Sequence, residues 1–352
     1  MIYRFEHIKE PDSYIWEEMR ESADQSCFFT KGWDDYVTRM GHKSFFVSVS
    51  NENSHLGYFV GSRVWVGIWV VSAPAMGMGT YAQGLCLKEL VSKEERVAIY
   101  QQLVDWLYKT KVASYVQISD WQMRTESKEW IDNWQEPTLS KVGIHYDVRQ
   151  TYFLELQKPI DVLWSGMEYK SCRYAINKAR REGLEVRETT REEDIDDFVK
   201  QHCLHIQDVL RRKRSRGFPF QKQRYLSALC HSMFPVNIHM LQVVWKDEQG
   251  NEVVLSSGIF VVGKSACTYY TGASYQRYMH LCPNELMVWE AIRIIHEDGG
   301  NNLIFGGIAR YKRKFGTSYA FVPVMIFSKY RFLLNFRNRL KKIFTRMMHR
   351  IR

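Results

Sequence analysis

The segment from Ala266 to Gly316, ACTYYTGASYQRYMHLCPNELMVWEAIRIIHEDGGNNLIFGGIARYKRKFG, constrains this 352-residue chain more than any other stretch. It divides into four pieces. Ala266–Tyr270 have the content of a strand. Thr271–Cys282 read as a polar, aromatic loop. Pro283-Asn284 then open a helix that runs to about Glu297 and closes at Gly299-Gly300. Proline suits the first helical position, where its missing N–H costs nothing. Leu303–Phe305 form a short strand that leads through Gly306-Gly307 into Tyr311-Lys312-Arg313-Lys314-Phe315-Gly316. A strand, a loop and a helix start in that order bring unpaired N–H groups and the positive end of the helix dipole together. Any β-loop-α unit does the same. What sets this one apart is the pair of lysines after a Gly-Gly turn, beside Phe and Gly.

Length allows two domains, and an apolar content of 45% supports a sizeable core. The formal charge is +10. Ser328–Arg352 carry nine Lys and Arg and no acid, which leaves +1 for everything before them. The basic character belongs to one element, so the chain is not a nucleic-acid-binding domain throughout. The tail places Phe332, Phe336, Leu340, Ile343-Phe344, Met347 and Ile351 at steps of three and four. It reads as an amphipathic basic helix that meets an anionic membrane surface or another polyanion; the alternative is a helix docked on the body. Seven scattered cysteines without a C-x-x-C fit reduced thiols. The polar N-terminus lacks the apolar core of a signal peptide. Val64–Met78 is too short and too broken by Pro74 and glycines to span a bilayer. These features point to a cytoplasmic protein, peripheral at the inner face of the membrane.

Taken in order, the first half is mixed. Strands are expected at Ile2–Phe5, Ser44–Val49, Gly57–Val60, Val64–Val71, Tyr115–Ile118 and Gln150–Leu156. Helices are expected at Asp12–Arg20, Lys31–Met40 and Lys93–Tyr108, with a small one starting at Thr125. The Gly- and Met-rich loop Met76–Tyr81 is either a cleft wall or an irregular connection. Asp161–Glu182 form one helix with a basic side of Lys170, Arg173, Lys178, Arg180 and Arg181, capped at Gly183. Those cations complement the dipole in the last turn or face a ligand. Asp194–Leu210 form another helix; His202, Cys203 and His205 within it do not have a zinc spacing, and no metal site is expected. The basic loop Arg211–Arg216 is a solvated connection or a phosphate clamp. Asn237–Trp245, Val253–Val262 and Ala266–Tyr270 make an antiparallel meander, with a hairpin signal at Gly250-Asn251.

Two phrases about 140 residues apart resemble a known family. G-G-I…Y-K-R-K-F-G is similar to the closing motif of the FemABX-like group of the GNAT acyltransferase superfamily, where F/Y-K-x-x-F-G follows a D-F-G-G-type strand. The P-N-x-L helix start resembles the same group, and so does R-Y-x-I-x-x-A-x-x-x-G from Arg173 to Gly183. Phe28-Phe29…Trp33 resembles its N-terminal phrase. The position often held by Asp is Ile304 here.

The resemblance implies an α+β chain of tandem GNAT-like domains, mixed sheets flanked by helices, with the basic amphipathic helix appended. The domains would be 1–152, completed by 318–327, then 153–317 and the tail 328–352. The implied activity is transfer of an acyl or aminoacyl group to an amine of a cell-envelope precursor, of peptidoglycan or polysaccharide. The second hypothesis is an inactive membrane-surface scaffold with the same fold, motivated by Ile304. Amine attack on an ester or thioester needs positioning and an oxyanion donor more than a strong base. Lys312 is the expected oxyanion or phosphate contact and Glu285 a weaker proton-handling candidate. Arg173, Lys314, Tyr270, Tyr275 and Tyr278 are the expected substrate-binding residues. Acetyltransferases of the superfamily cradle the CoA pyrophosphate with Q/R-x-x-G-x-G/A. Gln276–Cys282 has no glycine there, so aminoacyl-tRNA and acyl-CoA both stay open as donors.

Overall fold

The structure is a computed structural model that describes residues 1–66, 69–72, 83–127, 144–215, 217, 221–247 and 249–330. The basic tail beyond 330 and the glycine-rich loop at 76–81 lie outside the described residues, as does most of the helix expected from Thr125.

A single mixed sheet of thirteen strands organises the described chain, and its two ends repeat one pattern. The first half runs β1 (Arg4–Ile8), α1 (Ser13–Glu21), α2 (Lys31–Arg39), β2 (Lys43–Ser50), β3 (His55–Val66), β4 (Trp69–Ser72), β5 (Gly84–Leu87), α3 (Lys93–Lys109) and β6 (Tyr115–Ser119). After β7 (Ile144–Glu155) come α4 (Ile160–Gly166), a single π-helical turn Tyr169–Arg173, and α5 (Tyr174–Arg181). The second half then runs β8 (Glu185–Glu188), α6 (Ile195–Arg212), α7 (Gln223–Met233), β9 (Ile238–Lys246), β10 (Glu252–Val261), β11 (Cys267–Ser274), α8 (Pro283–Glu297) and β12 (Asn302–Ile304), and β13 (Ser318–Ser328) closes it.

The strand order β1-β2-β3-β4-β6-β13-β7-β12-β11-β10-β9-β8 makes the repeat explicit, with β5 pairing on β3. In each half three antiparallel pairings end in one parallel pairing, β4 with β6 and β11 with β12. The closing strands are exchanged. β7 follows β6 in the chain but pairs with β12, and β13 follows β12 but pairs with β6. β7 and β13 pair with each other over ten residues and fuse the two sheets.

Alternation along the strands assigns the two faces. Phe46, Tyr58, Ile259 and Ile304 join a core with α1, α2, α6 and α7. Phe45, Val47 and Phe59 face α3 on the other side. Leu241, Phe260 and Tyr269 face α8 and α5 on that same other side. The long helix expected over 161–182 is broken. Met167 has extended backbone after Gly166, and the π-helical turn follows. The cause lies in packing. A Cβ at Gly316 (φ 74°) would stand 2.9 Å from the Gly166 carbonyl, so the loop before β13 presses on the break.

Candidate active site

The candidate site lies where β11 and β12 part. These parallel strands pair only at Cys267↔Leu303 and Thr268↔Ile304. From Tyr269 onward the edge of β11 has no strand beside it on that side among the described residues. Unpaired backbone groups at a parting inside a fold are ready hydrogen-bond partners for a substrate carbonyl. A β-bulge sharpens the parting: Ile259 faces Thr271 and Phe260 faces Tyr269, so Tyr270 is the extra residue. Bulges bend a strand and re-aim its side chains.

That bulge separates the tyrosines that the sequence grouped together. Tyr269 packs on the α8 face, stacked on Phe260 with ring centroids 4.8 Å apart. Tyr270 turns to the opposite face, where its hydroxyl lies 3.5 Å from that of Tyr36. Tyr275 stands edge-on to His205 at 4.4 Å, against α6. Tyr278 lies beside Trp245 of β9 at 6.1 Å and under Arg277. These three do not converge on Lys312.

The chain after β12 closes the site from the other side. Gly306 and Gly307 both have positive φ, 64° and 66°, which glycine adopts without strain. A short 3₁₀ helix, Arg310–Phe315, follows. Phe315 is buried and stacks on Phe305 at 5.8 Å. This anchor fixes Lys312, whose Nζ donates to the Phe305 carbonyl at 2.6 Å and to the Gly306 carbonyl. Burial pulls the Lys312 ammonium down to about 8. Lys312 is therefore held at the end of β12 by two carbonyls, a tighter and drier position than a surface phosphate contact.

Lys314 is ion-paired with Glu285 of the first turn of α8. That pair ties the loop to the helix and answers the dipole, so Glu285 acts as a dipole partner and Lys314 is not an open cation. Both act on the buried Cys172 thiol, which burial pushes up to about 12. Arg173 adjoins Cys172 at the end of the π-helical turn, with its guanidinium 5.2 Å from the Tyr169 ring centroid. Its Nε is buried without a partner. The structure thus brings Lys314, Glu285 and Arg173 together around Cys172, with Lys312 on the same 3₁₀ turn as Lys314.

Two features escaped the sequence reading. Tyr311 reaches back to Tyr269. Burial pushes the Tyr311 hydroxyl up to about 12, and a hydrogen bond from Tyr269 opposes that rise. The signal was the Y-K start of the motif, taken only for its lysine. The turn into α8 is the second. The Gln276–Leu281 segment is a 3₁₀ helix, and Cys282 takes the left-handed conformation (φ 61°) at the helix start. A non-glycine residue makes this turn, so the segment does not form a glycine cradle. Ile304 is 1% exposed among apolar side chains and supplies no acid or base.

A meander, a parallel strand pair that parts, and a helix opening beside the parting define a GNAT-type acyltransferase architecture. The family model of the acetyltransferase (GNAT) domain matches residues 168–313. The aminoacyltransferase FemA of Staphylococcus epidermidis is 34% identical over 64 residues, 18% of this chain and 15% of FemA's length. The crystal structure of FemX superposes with a TM-score of 0.68 at 13% identity, covering 90% of this chain and 96% of FemX. A conserved protein of unknown function from Bacteroides thetaiotaomicron has a TM-score of 0.54 at 11% identity, covering 89% and 96%. The likeness to both structures is one of fold. Residues 168–313 thus carry a GNAT acetyltransferase domain, and the chain is similar in part of its sequence to FemA and in fold to FemX.

Proposed function

We propose that the chain transfers an acyl or aminoacyl group to an amine of a cell-envelope precursor at the β11–β12 parting. The observation that carries this reading is Lys312, half-buried and fixed on two carbonyls at the mouth of an unpaired strand edge. The new C–N bond forms as the amine attacks the carbonyl. The C–O or C–S bond to the carrier breaks, and the amine proton leaves to solvent. Lys312 supplies positive charge near the developing oxyanion, and the free edge of β11 orients the donor. The FemA and FemX likenesses support an aminoacyl donor carried on tRNA, and the GNAT domain supports acyl-CoA. The glycine-free turn at Cys282 favours the former. Peptidoglycan or polysaccharide precursors are the acceptor class. The division into 1–152 with 318–327 and 153–317 belongs to the same proposal, and so does the basic tail as a peripheral anchor. No helix of the described residues is long and apolar enough to cross a membrane.

Purified protein assayed with aminoacyl-tRNA and with acyl-CoA, against extracted precursors and read by mass spectrometry, tests the reading. A mass shift of the precursor that needs one of the two donors is expected. Absence of transfer from both, with a cellular phenotype that depends only on residues 328–352, would favour the inactive scaffold. Flotation with anionic liposomes at low salt checks the tail: loss of binding on deleting it is expected, and no binding by the intact chain sinks the anchor.

A further inference from the structure

A second cleft lies at the junction of the two halves, lined by residues other than those that hold Lys312. Its volume is about 350 Å³, and it is lined by Lys93, Gln122, Arg124, Thr125, Glu126, Phe153, Glu155 and Ala320. The lining comes from both halves: the start of α3, the loop after β6, and the ends of β7 and β13. It carries two cations, Lys93 and Arg124, and two carboxylates, Glu126 and Glu155. Arg124 forms no ion pair among the described residues. Its guanidinium lies over Trp121 at 4.7 Å and near Phe153 at 5.7 Å. Nη1 is steered by the Gln122 side-chain oxygen at 3.2 Å and the Trp121 carbonyl at 3.5 Å. Lys93 holds the Arg124 carbonyl at 2.6 Å, which fixes the loop that carries it. Glu155 pairs with Lys158 at the rim, 3.2 Å away, and Glu126 has no ion pair among the described residues.

Opposite charges that share a cleft and can reach each other ordinarily pair, because attraction strengthens as water leaves. Here the two aromatic rings restrain the cation, and β7 sets the position of Glu155. The space between them suits a small molecule with an anionic and a cationic end. An Arg fork with open donors prefers a planar carboxylate, and carboxylates prefer an ammonium. The volume lies at the lower end of small-ligand pockets.

We propose that this cleft binds the zwitterionic end of an amino acid or short peptide, with its carboxylate on Arg124 and its ammonium between Glu126 and Glu155. The inference stands apart from the transfer reaction, because binding is measured without a donor. Calorimetry with the dipeptide alanyl-alanine tests it, beside the N-acetylated, the C-amidated and the doubly blocked forms. The intact chain should bind the zwitterion with a Kd on the order of 1 mM. Blocking either end should weaken binding about tenfold or more. Arg124→Gln should abolish the preference for acid over amide, and Arg124→Lys should keep part of it. Glu126→Gln with Glu155→Gln, at exposed positions, should abolish the preference for free over acetylated amine. Equal binding of the doubly blocked peptide would overturn the proposal. So would the lack of saturable binding by the folded wild-type chain.

Discussion

The two halves of the sheet each hold one parallel pairing, and the described residues around the two pairings differ. β4 and β6 pair at Val71↔Tyr115 and Ser72↔Val116, just as β11 and β12 pair twice. In the first half Gln83, 0% exposed, closes that junction. Its oxygen accepts from the Ser62 N–H and the Ser72 hydroxyl, both at 3.0 Å, and its nitrogen donates to the Gln117 carbonyl at 2.9 Å. Beneath it Arg96, 1% exposed, is paired with Asp24 and, at 2.6 Å, with Asp120. The Tyr100 hydroxyl donates to Asp120 at 2.6 Å. In the second half the Tyr269 and Tyr311 phenols meet across the parting, and Tyr311 keeps its hydroxyl buried while the residue as a whole is 46% exposed. Among the described residues one fold thus surrounds its first parallel pairing with a buried polar network and its second with two phenols. A buried ion network makes the first a structural joint. The second keeps its strand edge and Lys312 for chemistry.

Predictions can break this contrast. Arg96→Ala leaves two buried carboxylates without their cation and should cost about 3–5 kcal/mol of stability, read by denaturant unfolding. A loss below about 1 kcal/mol would mean that the network does not hold the first half together. Lys312→Ala should leave the unfolding midpoint nearly unchanged and lower the transfer rate about 10²–10³-fold. In the wild type the rate should also fall as pH rises through about 8, where Lys312 loses its charge, and the variant should lack that limb.

The buried histidines of α6 give a test on pH alone. His202 and His205 share the Ser257 hydroxyl at 2.7 and 2.6 Å, and burial pulls them down to about 3 and about 4. The unfolded chain binds their protons first, so stability should fall as pH drops below 6.5. The loss should reach about 2 kcal/mol per ring by pH 5. His202→Gln with His205→Gln should flatten that slope; an unchanged slope would assign it elsewhere. Glu285→Gln removes the charged partner of Lys314 at a mostly buried position and should cost about 1–2 kcal/mol, seen as a midpoint shift. The smallest effect is expected from Tyr270→Phe. Its hydroxyl meets Tyr36 on the face away from Lys312, so transfer should change less than about threefold. A larger drop would move the site to that face.

The segment from 266 to 316 was readable because its signals are local. Proline at the start and glycines after the end fix α8 at Pro283–Glu297, where the sequence put it. Periodicity likewise gave α2, α3 and α6 to within about two residues. The misses are non-local. β5, β8 and α7 are short or weakly patterned and gain their structure from neighbours. The bulge at Tyr270 is a property of pairing with β10, so the strand alone could not tell which tyrosine faces α8. The Arg96 network joins residues 24, 96 and 120, which no window spans. Lys312 was legible as a motif residue, but its two carbonyl partners depend on Phe315 packing against Phe305.

The most direct test compares envelope precursors from cells that express the wild-type chain or Lys312→Ala at equal folded levels. Mass spectrometry should find an added acyl or aminoacyl mass on the precursor with the wild type and little or none with the variant. The same mass shift in both would contradict a transfer site at the β11–β12 parting.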